Sequence, residues 1–167
     1  MTDNLRVRRA LLGMPEDAAA YRAMLNHYAS DPLGQGRPLD EDTLDKVLRD
    51  LSEHPSVLPY LAFLDDQPVG FATCFLGYST FKAAPLVNIH DIAVLPEHRR
   101  HGVGTALLET IAKEARLIGC CRLTLEVRDD NPAAMALYRG SGFDVSKPGG
   151  EPVAHHLMEK PLDTPAS

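Results

Sequence analysis

The chain has 167 residues, 44% hydrophobic and 24% charged, a composition that suits one globular domain with its own core. Seventeen Lys and Arg against 23 Asp and Glu leave a net charge of −6, which argues against a broad nucleic-acid footprint or an anionic membrane surface and suits a cationic small substrate. Apolar runs of signal-peptide or membrane-spanning length are lacking, so a cytoplasmic protein is expected, and Cys74, Cys120 and Cys121 lack zinc or redox spacing and read as reduced thiols in or near the core.

Residues 5–11 alternate as a first strand. Pro15 opens a helical pattern over residues 15–29 in which Tyr21, Leu25 and Tyr28 share a face, and Asp31-Pro32 stops it. Leu44, Val47, Leu48 and Leu51 mark a second helix that ends before Pro55. Residues 56–64 and 68–76 are apolar runs around Asp65-Asp66-Gln67, the pattern of a hairpin. Residues 86–95 form a third apolar run, closed by Pro96, and residues 102–118 then place Val103, Leu107, Ile111 and Ala115 on one helical stripe.

Gly119 caps that helix, and residues 122–127 alternate as a strand, so strand, helix and strand form a parallel crossover. Asn131-Pro132 starts a last helix that Ser141-Gly142 ends, and residues 143–145 and 153–159 supply two closing strands. With no internal repeat or linker, residues 1–167 are expected to form a single mixed α/β domain, ordered over roughly 4–161.

The chemistry begins where the strand before Pro96 meets the following helix. Two arginines and two glycines, Arg99, Arg100, Gly102 and Gly104, stand where free backbone N–H groups and the helix dipole attract an anion, and phosphate is the natural ligand. A glycine lets a pyrophosphate approach the backbone, and Arg99 or Arg100 adds charge-assisted bonds. A dinucleotide fingerprint is excluded because Leu107 occupies its third small position, and a P-loop because no lysine follows the glycines.

Together with Asn131, Ala134, Leu137, Tyr138, Gly142 and Phe143 further on, the Arg99, Gly102 and Gly104 pattern resembles the two signature motifs of the GNAT superfamily of N-acetyltransferases. That resemblance implies a mixed, mostly antiparallel seven-stranded sheet flanked by about four helices, its central parallel strands splayed to admit the pantetheine of acetyl-CoA. By the same resemblance the Ile92, Ala93 and Val94 backbone takes the pantetheine, and amides of Arg99, Arg100, His101, Gly102, Val103, Gly104 and Thr105 hold the pyrophosphate. Asn131, Ala134 and Tyr138 complete the cofactor side, and Arg100 stands where the family usually has glycine. A homodimer is frequent in this superfamily.

An alkylammonium titrates near ~10, so attack on a thioester needs a base, and the departing thiolate needs an acid. Tyr138 is the candidate acid. His90 and Asp91 interrupt the otherwise apolar strand and are the candidates for the base side, His90 having the intrinsic pKa for the task and Asp91 falling on the opposite strand face by simple alternation. Ser79-Thr80-Phe81 followed by Asn88-Ile89-His90-Asp91-Ile92 is also similar to a segment of diamine and thialysine acetyltransferases, with His90 in place of their glutamate. Asp31, Asp40, Glu41 and Asp42 flank the second helix, where a solvated helix start competes with attraction of an ammonium group. His98, His101, His155 and His156 read as surface or packing residues, and no metal is assigned. The expected reaction is direct acetyl transfer from acetyl-CoA to the primary amine of a small molecule, with a protein or peptide amine, or an acyl-CoA sensor without turnover, as alternatives.

Overall fold

The computed structural model describes residues 4–144 and 158–162. Its elements in chain order are β1 (Leu5–Arg9), α1 (Pro15–Ser30), α2 (Glu41–Glu53), β2 (Val57–Leu64), β3 (Gln67–Ser79), β4 (Ala84–Val94), α3 (Val103–Leu117), β5 (Leu123–Leu125) and α4 (Pro132–Gly140), with one 3-10 turn at Pro96–His98 before α3. The strands lie in the order β1-β2-β3-β4-β5; the first three pairings are antiparallel and β4 with β5 is parallel. The β4–α3–β5 crossover therefore forms as the sequence suggests.

Local chemistry sets these boundaries. The β2–β3 hairpin turns through Asp65 and Asp66, both with positive φ (47° and 65°), the backbone that a two-residue turn needs to match strand twist. Asp40 caps α2 by accepting from the Thr43 N–H at 2.8 Å, and Asn131 caps α4 by accepting from the Ala134 N–H at 3.1 Å, with Pro132 behind it. The Asp17 carboxylate anchors β1 to α1: it accepts from both terminal nitrogens of Arg8 at 2.7 and 2.8 Å and from the Leu11 N–H at 2.7 Å.

Each face of the sheet has its own core. On one face Tyr60, Ala62, Ala72, Cys74, Val87 and Ile89 pack against α3 through Val103, Leu107 and Ile111, with Tyr138 of α4 alongside. On the other face Leu61 and Phe71 pack against Tyr21 and Met24 of α1. The Tyr21 and Phe71 rings meet edge to face with centroids 5.3 Å apart.

Five strands, where seven were expected, are present among the described residues. Of the expected closing strands, Phe143, Asp144, Met158 and Glu159 are not in strands, and residues 145 and 153–157 lie outside the described residues, as do His155 and His156. β5 is three residues long, shorter than the alternation over 122–127 suggested, because it leaves β4 after Leu125. Cys121 is a further correction: Cys74 is buried and Cys120 half-buried, but Cys121 is exposed at the turn that enters β5.

Candidate acyl-transfer site

Two strands that begin side by side and then part create the centre of the site. Val87, Asn88 and Ile89 of β4 pair with Leu123, Thr124 and Leu125 of β5; beyond Ile89 the β4 edge opposite β3 has no strand partner among the described residues. Ile92 and Val94, the residues expected to bind pantetheine, lie on that open stretch, with side chains toward the α3 face, whereas Ala93 faces α1.

The open edge leads into the loop before α3, where a phosphate was expected. Gly102 is the N-cap of α3 with φ 84°, and the first intrahelical bond runs from the Ala106 N–H to the Gly102 carbonyl, so the N–H groups of Val103, Gly104 and Thr105 have no partner within the helix. Arg100 takes φ 62°, a left-handed backbone that favours glycine, so the loop holds that conformation despite the side chain. The two glycines differ in purpose. Gly102 supplies a positive φ, while at Gly104 an added Cβ would fall 2.8 Å from Leu137 Cδ2, so this glycine lets α3 approach α4 just before Tyr138.

Arg99 is bonded within the protein at three points. Its N–H bonds the Pro96 carbonyl at 3.3 Å, its Nε donates to the Val94 carbonyl at 2.9 Å, and a terminal nitrogen reaches Asp31 at 2.9 Å. These bonds tie the loop to β4 and to the end of α1, and leave Arg100, exposed with His101, as the arginine free to meet a phosphate. The acidic group around α2 is similarly engaged: Asp31 with Arg99, Asp40 in its cap and Glu41 with Arg22.

His90 and Asp91 do not lie on opposite faces. The β3–β4 register pairs Thr73 with Asp91 but Cys74 with Ile89, so His90 is the extra residue of a β-bulge. The bulge resets the alternation: Val87 and Ile89 before it and Ile92 and Val94 after it all face α3. Both His90 and Asp91 consequently project toward the α1 side, where the His90 ring stands edge-on to Phe75 (centroids 5.9 Å apart) and Asp91 stands opposite Thr73 in the register. Burial pushes the Asp91 carboxyl above the ordinary carboxylate range, partly offset by its neighbours His90 and Thr73.

Tyr138 is buried on the α3 face, its ring 6.0 Å from that of Phe143. Burial, with a smaller contribution from Tyr28, pushes its phenol up to about 12, so it holds its proton at neutral pH. Tyr28, on α1, was read from sequence only as part of a helix face. Burial raises its phenol too, with Asp91 and then Asp31 adding to the effect. Asp91 and Tyr138 belong to opposite sides of the sheet. Tyr21 and Thr73, which share a buried hydrogen bond beside Asp91, were also missed. Nothing local in sequence marks them, since a strand Thr and a helix Tyr each have ordinary packing roles.

A cavity of about 440 Å³ lies between α1 and α2, lined by Arg22, Asn26, His27 and Glu41 among others. Its α1 residues sit opposite Tyr21 and Tyr28 on the helix, so it is separate from the opening between β4 and β5.

At the centre of the site a parallel strand pair parts beside a glycine-capped helix N-terminus. The chain belongs to the acetyltransferase (GNAT) family, whose model matches residues 21–143. It is 38% identical over 74 residues to the thialysine N-epsilon-acetyltransferase of Bos taurus, covering 44% of this chain and 43% of that protein. It is 46% identical over 57 residues to the ribosomal-protein alanine N-acetyltransferase of Escherichia coli (strain K12), covering 34% of this chain and 38% of that one. These matches span less than half the length of either relative. The fold is shared with the aminoglycoside acetyltransferase AAC(6')-Iy, solved in complex with a CoA bisubstrate analogue, at a TM-score of 0.74 and 16% identity over 96% of this chain and 100% of that one.

Proposed function

We infer that the protein transfers an acetyl group from acetyl-CoA to the primary amine of a small molecule, within a complex that holds both substrates. The observation that carries this reading is the open β4 edge between Ile89 and Val94, which runs directly into the unpartnered N–H groups at the start of α3. An extended chain carrying two amides followed by a pyrophosphate matches those features in order. Arg100, His101, Gly102, Val103, Gly104 and Thr105 hold the pyrophosphate, chiefly through backbone N–H groups. The NH2 of Asn131, whose oxygen caps α4, is offered to the pantetheine arm, and Ala134 packs beneath it on the α3 face.

The acceptor enters from the α1 side, where His90 and Asp91 now lie together. This pair takes the ammonium proton, and the neutral amine then attacks the thioester carbonyl. The C–S bond breaks, and the Tyr138 phenol gives its proton to the departing sulfur. The overall acidity of the chain and the half-buried Asp91 favour a cationic acceptor. The similarity to the bovine thialysine enzyme supports a free amino compound; the match to the E. coli enzyme favours a peptide N-terminus as the second reading.

Acetyl-CoA-dependent thiol release across polyamines, lysine analogues, aminoglycosides and alanine-terminated peptides tests the reading and separates the two acceptor classes. Turnover confined to peptides would replace the small-molecule assignment. Tight CoA binding with no turnover on any amine would replace catalysis by a sensor.

A further inference from the structure

The α1 face of the sheet carries a further group of side chains, on the side of Asp91 away from Val94. Phe75 of β3 pairs in register with Asn88 of β4. Asn88 falls between Val87 and Ile89, which face α3, so Asn88 and Phe75 form a cross-strand pair on the α1 face. His54, the C-cap of α2, meets the Phe75 ring edge to face with centroids 5.4 Å apart, and His90 meets it from β4 at 5.9 Å. The Ser56 N–H donates to His54 Nδ1 at 3.2 Å, so this wall is held from both α2 and β4. Phe75 and Asn88 are half-buried and the two histidines exposed, so a ligand can reach the group from solvent.

The Asn88 amide is used on one side only. Its Nδ2 donates to Thr124 Oγ1 at 3.0 Å and to the Thr124 carbonyl at 3.5 Å, across the β4–β5 pair. A carbonyl can only accept, so the nitrogen is the atom turned to β5 and the oxygen the atom turned away. Asn88 Oδ1 has no hydrogen-bond partner among the described residues. Joining β4 to β5 accounts for the nitrogen and leaves the oxygen available to a ligand.

The spacing from the reacting centre follows from the register. Thr73 pairs with Asp91 and Phe75 with Asn88, so the two positions are two residues apart along β3, a separation of about 7 Å. An extended chain covers about 1.2 Å per bond, so about six bonds join a nitrogen at Asp91 to a donor at Asn88.

We propose that Phe75 and Asn88 determine acceptor specificity: the Phe75 ring packs on the carbon chain of the amine, and Asn88 Oδ1 accepts from an N–H or O–H group about six bonds beyond the reacting nitrogen. This rests on the acetyltransferase reading of the site and adds a requirement to it, since a donor at the far end is selected and a methyl end is not. The far end lies away from the thioester and the attacking nitrogen, so its contribution is the same before and during reaction and appears in KM rather than kcat.

The experiment compares pentylamine, terminal aminopentanol and cadaverine as acceptors for wild type, Asn88→Leu, Asn88→Asp and Phe75→Leu, with CoA affinity measured by calorimetry beside each. The three amines share one carbon chain and end in a methyl, a hydroxyl or an ammonium. Wild type is expected to favour aminopentanol and cadaverine over pentylamine by about 3- to 10-fold in kcat/KM, the scale of one hydrogen bond, mostly through KM. Asn88→Leu should bring both ratios to within about twofold of one, and Asn88→Asp should raise the cadaverine ratio above that for aminopentanol, because a carboxylate bonds an ammonium more strongly. Phe75→Leu should raise KM for all three. Loss of the Thr124 bond weakens all three amines alike, so the ratios isolate the far end. No preference in wild type, or a preference that Asn88→Leu leaves unchanged, would overturn the proposal while the acetyltransferase reading stands. Turnover of none of the three by a chain that binds CoA would overturn it as well. If Asn88→Leu fails to fold, Asn88→Asp decides, and unchanged ratios there count against the proposal. Absence of CoA binding in wild type would instead remove the reading on which the proposal rests.

Discussion

The Arg99 guanidinium stands 2.9 Å from the Asp31 carboxylate while its Nε holds the Val94 carbonyl at the same distance, so one side chain joins the phosphate loop, the end of β4 and the C-cap of α1. A carboxylate at a helix C-terminus opposes the helix dipole, and Arg99 offsets that charge. Asp31 is held below the ordinary carboxylate range by the Leu33 N–H first and by Arg99 next. The pair is partly exposed, so Arg99→Gln should reduce stability by no more than about 1 kcal/mol. CoA affinity should fall further than that loss suggests, because the loop is released from β4. Thermal unfolding beside a CoA titration checks both parts; equal CoA affinity would show that the tether is dispensable.

Arg100 holds a left-handed backbone with φ 62°. Replacing it by glycine removes a conformational penalty of about 1 kcal/mol and also a cation next to the pyrophosphate. Arg100→Gly is therefore expected to melt higher and to bind CoA more weakly, with a shallower dependence on salt. A variant that melts higher and binds CoA as tightly as wild type would show that the guanidinium makes no phosphate contact.

Asp91 gives a second case in which stability and activity part. Its folded pKa is raised, so the unfolded chain releases the proton first as pH climbs past the ordinary value of 3.8, and the group disfavours the folded state from that window upward. Asp91→Asn should then melt at a higher temperature than wild type at pH 7 while losing the acid limb of the rate profile and most turnover. A drop in melting temperature would mean that the polar neighbours of Asp91 outweigh its desolvation.

Asp17 is the opposite case. Arg8 first and the Leu11 N–H after it lower its pKa against the effect of burial, so its stabilisation is complete above the unfolded value and is lost as pH falls through the folded one. Asp17→Asn should destabilise the protein by about 2 kcal/mol at pH 7. The difference from wild type should shrink below about pH 4, where the unfolded carboxylate takes its proton, and denaturant melts across pH measure it. Catalysis by the folded fraction should be unaffected, since this contact lies at the β1–α1 junction.

Periodicity, proline and caps revealed most elements: Asp31-Pro32, Pro55, Pro96 and Asn131-Pro132 each border a helix or strand as their backbone chemistry dictates. The glycine-capped start of α3 was legible for the same reason, because glycines at a strand-to-helix junction carry local meaning. The bulge was not. His90 and Asp91 are adjacent, alternation assigns them opposite faces, and only the register of β3 against β4 reveals the extra residue. Tyr28, Tyr21 and Thr73 escaped notice because their part in the site depends on packing across the sheet rather than on neighbours in sequence. Arg99 matched a motif by position, yet its side chain serves the loop; a motif records which residue stands somewhere, not which atom it uses.

The most direct test of the account is a calorimetric titration with CoA followed by thiol release from acetyl-CoA on the amine panel, run with wild type and Tyr138→Phe. The account predicts one CoA site per chain, turnover with a primary amine, and in Tyr138→Phe a much lower kcat with CoA binding retained. A chain that binds no CoA would contradict the acetyltransferase assignment, and a Tyr138→Phe variant with unchanged kcat would contradict the role given to the phenol.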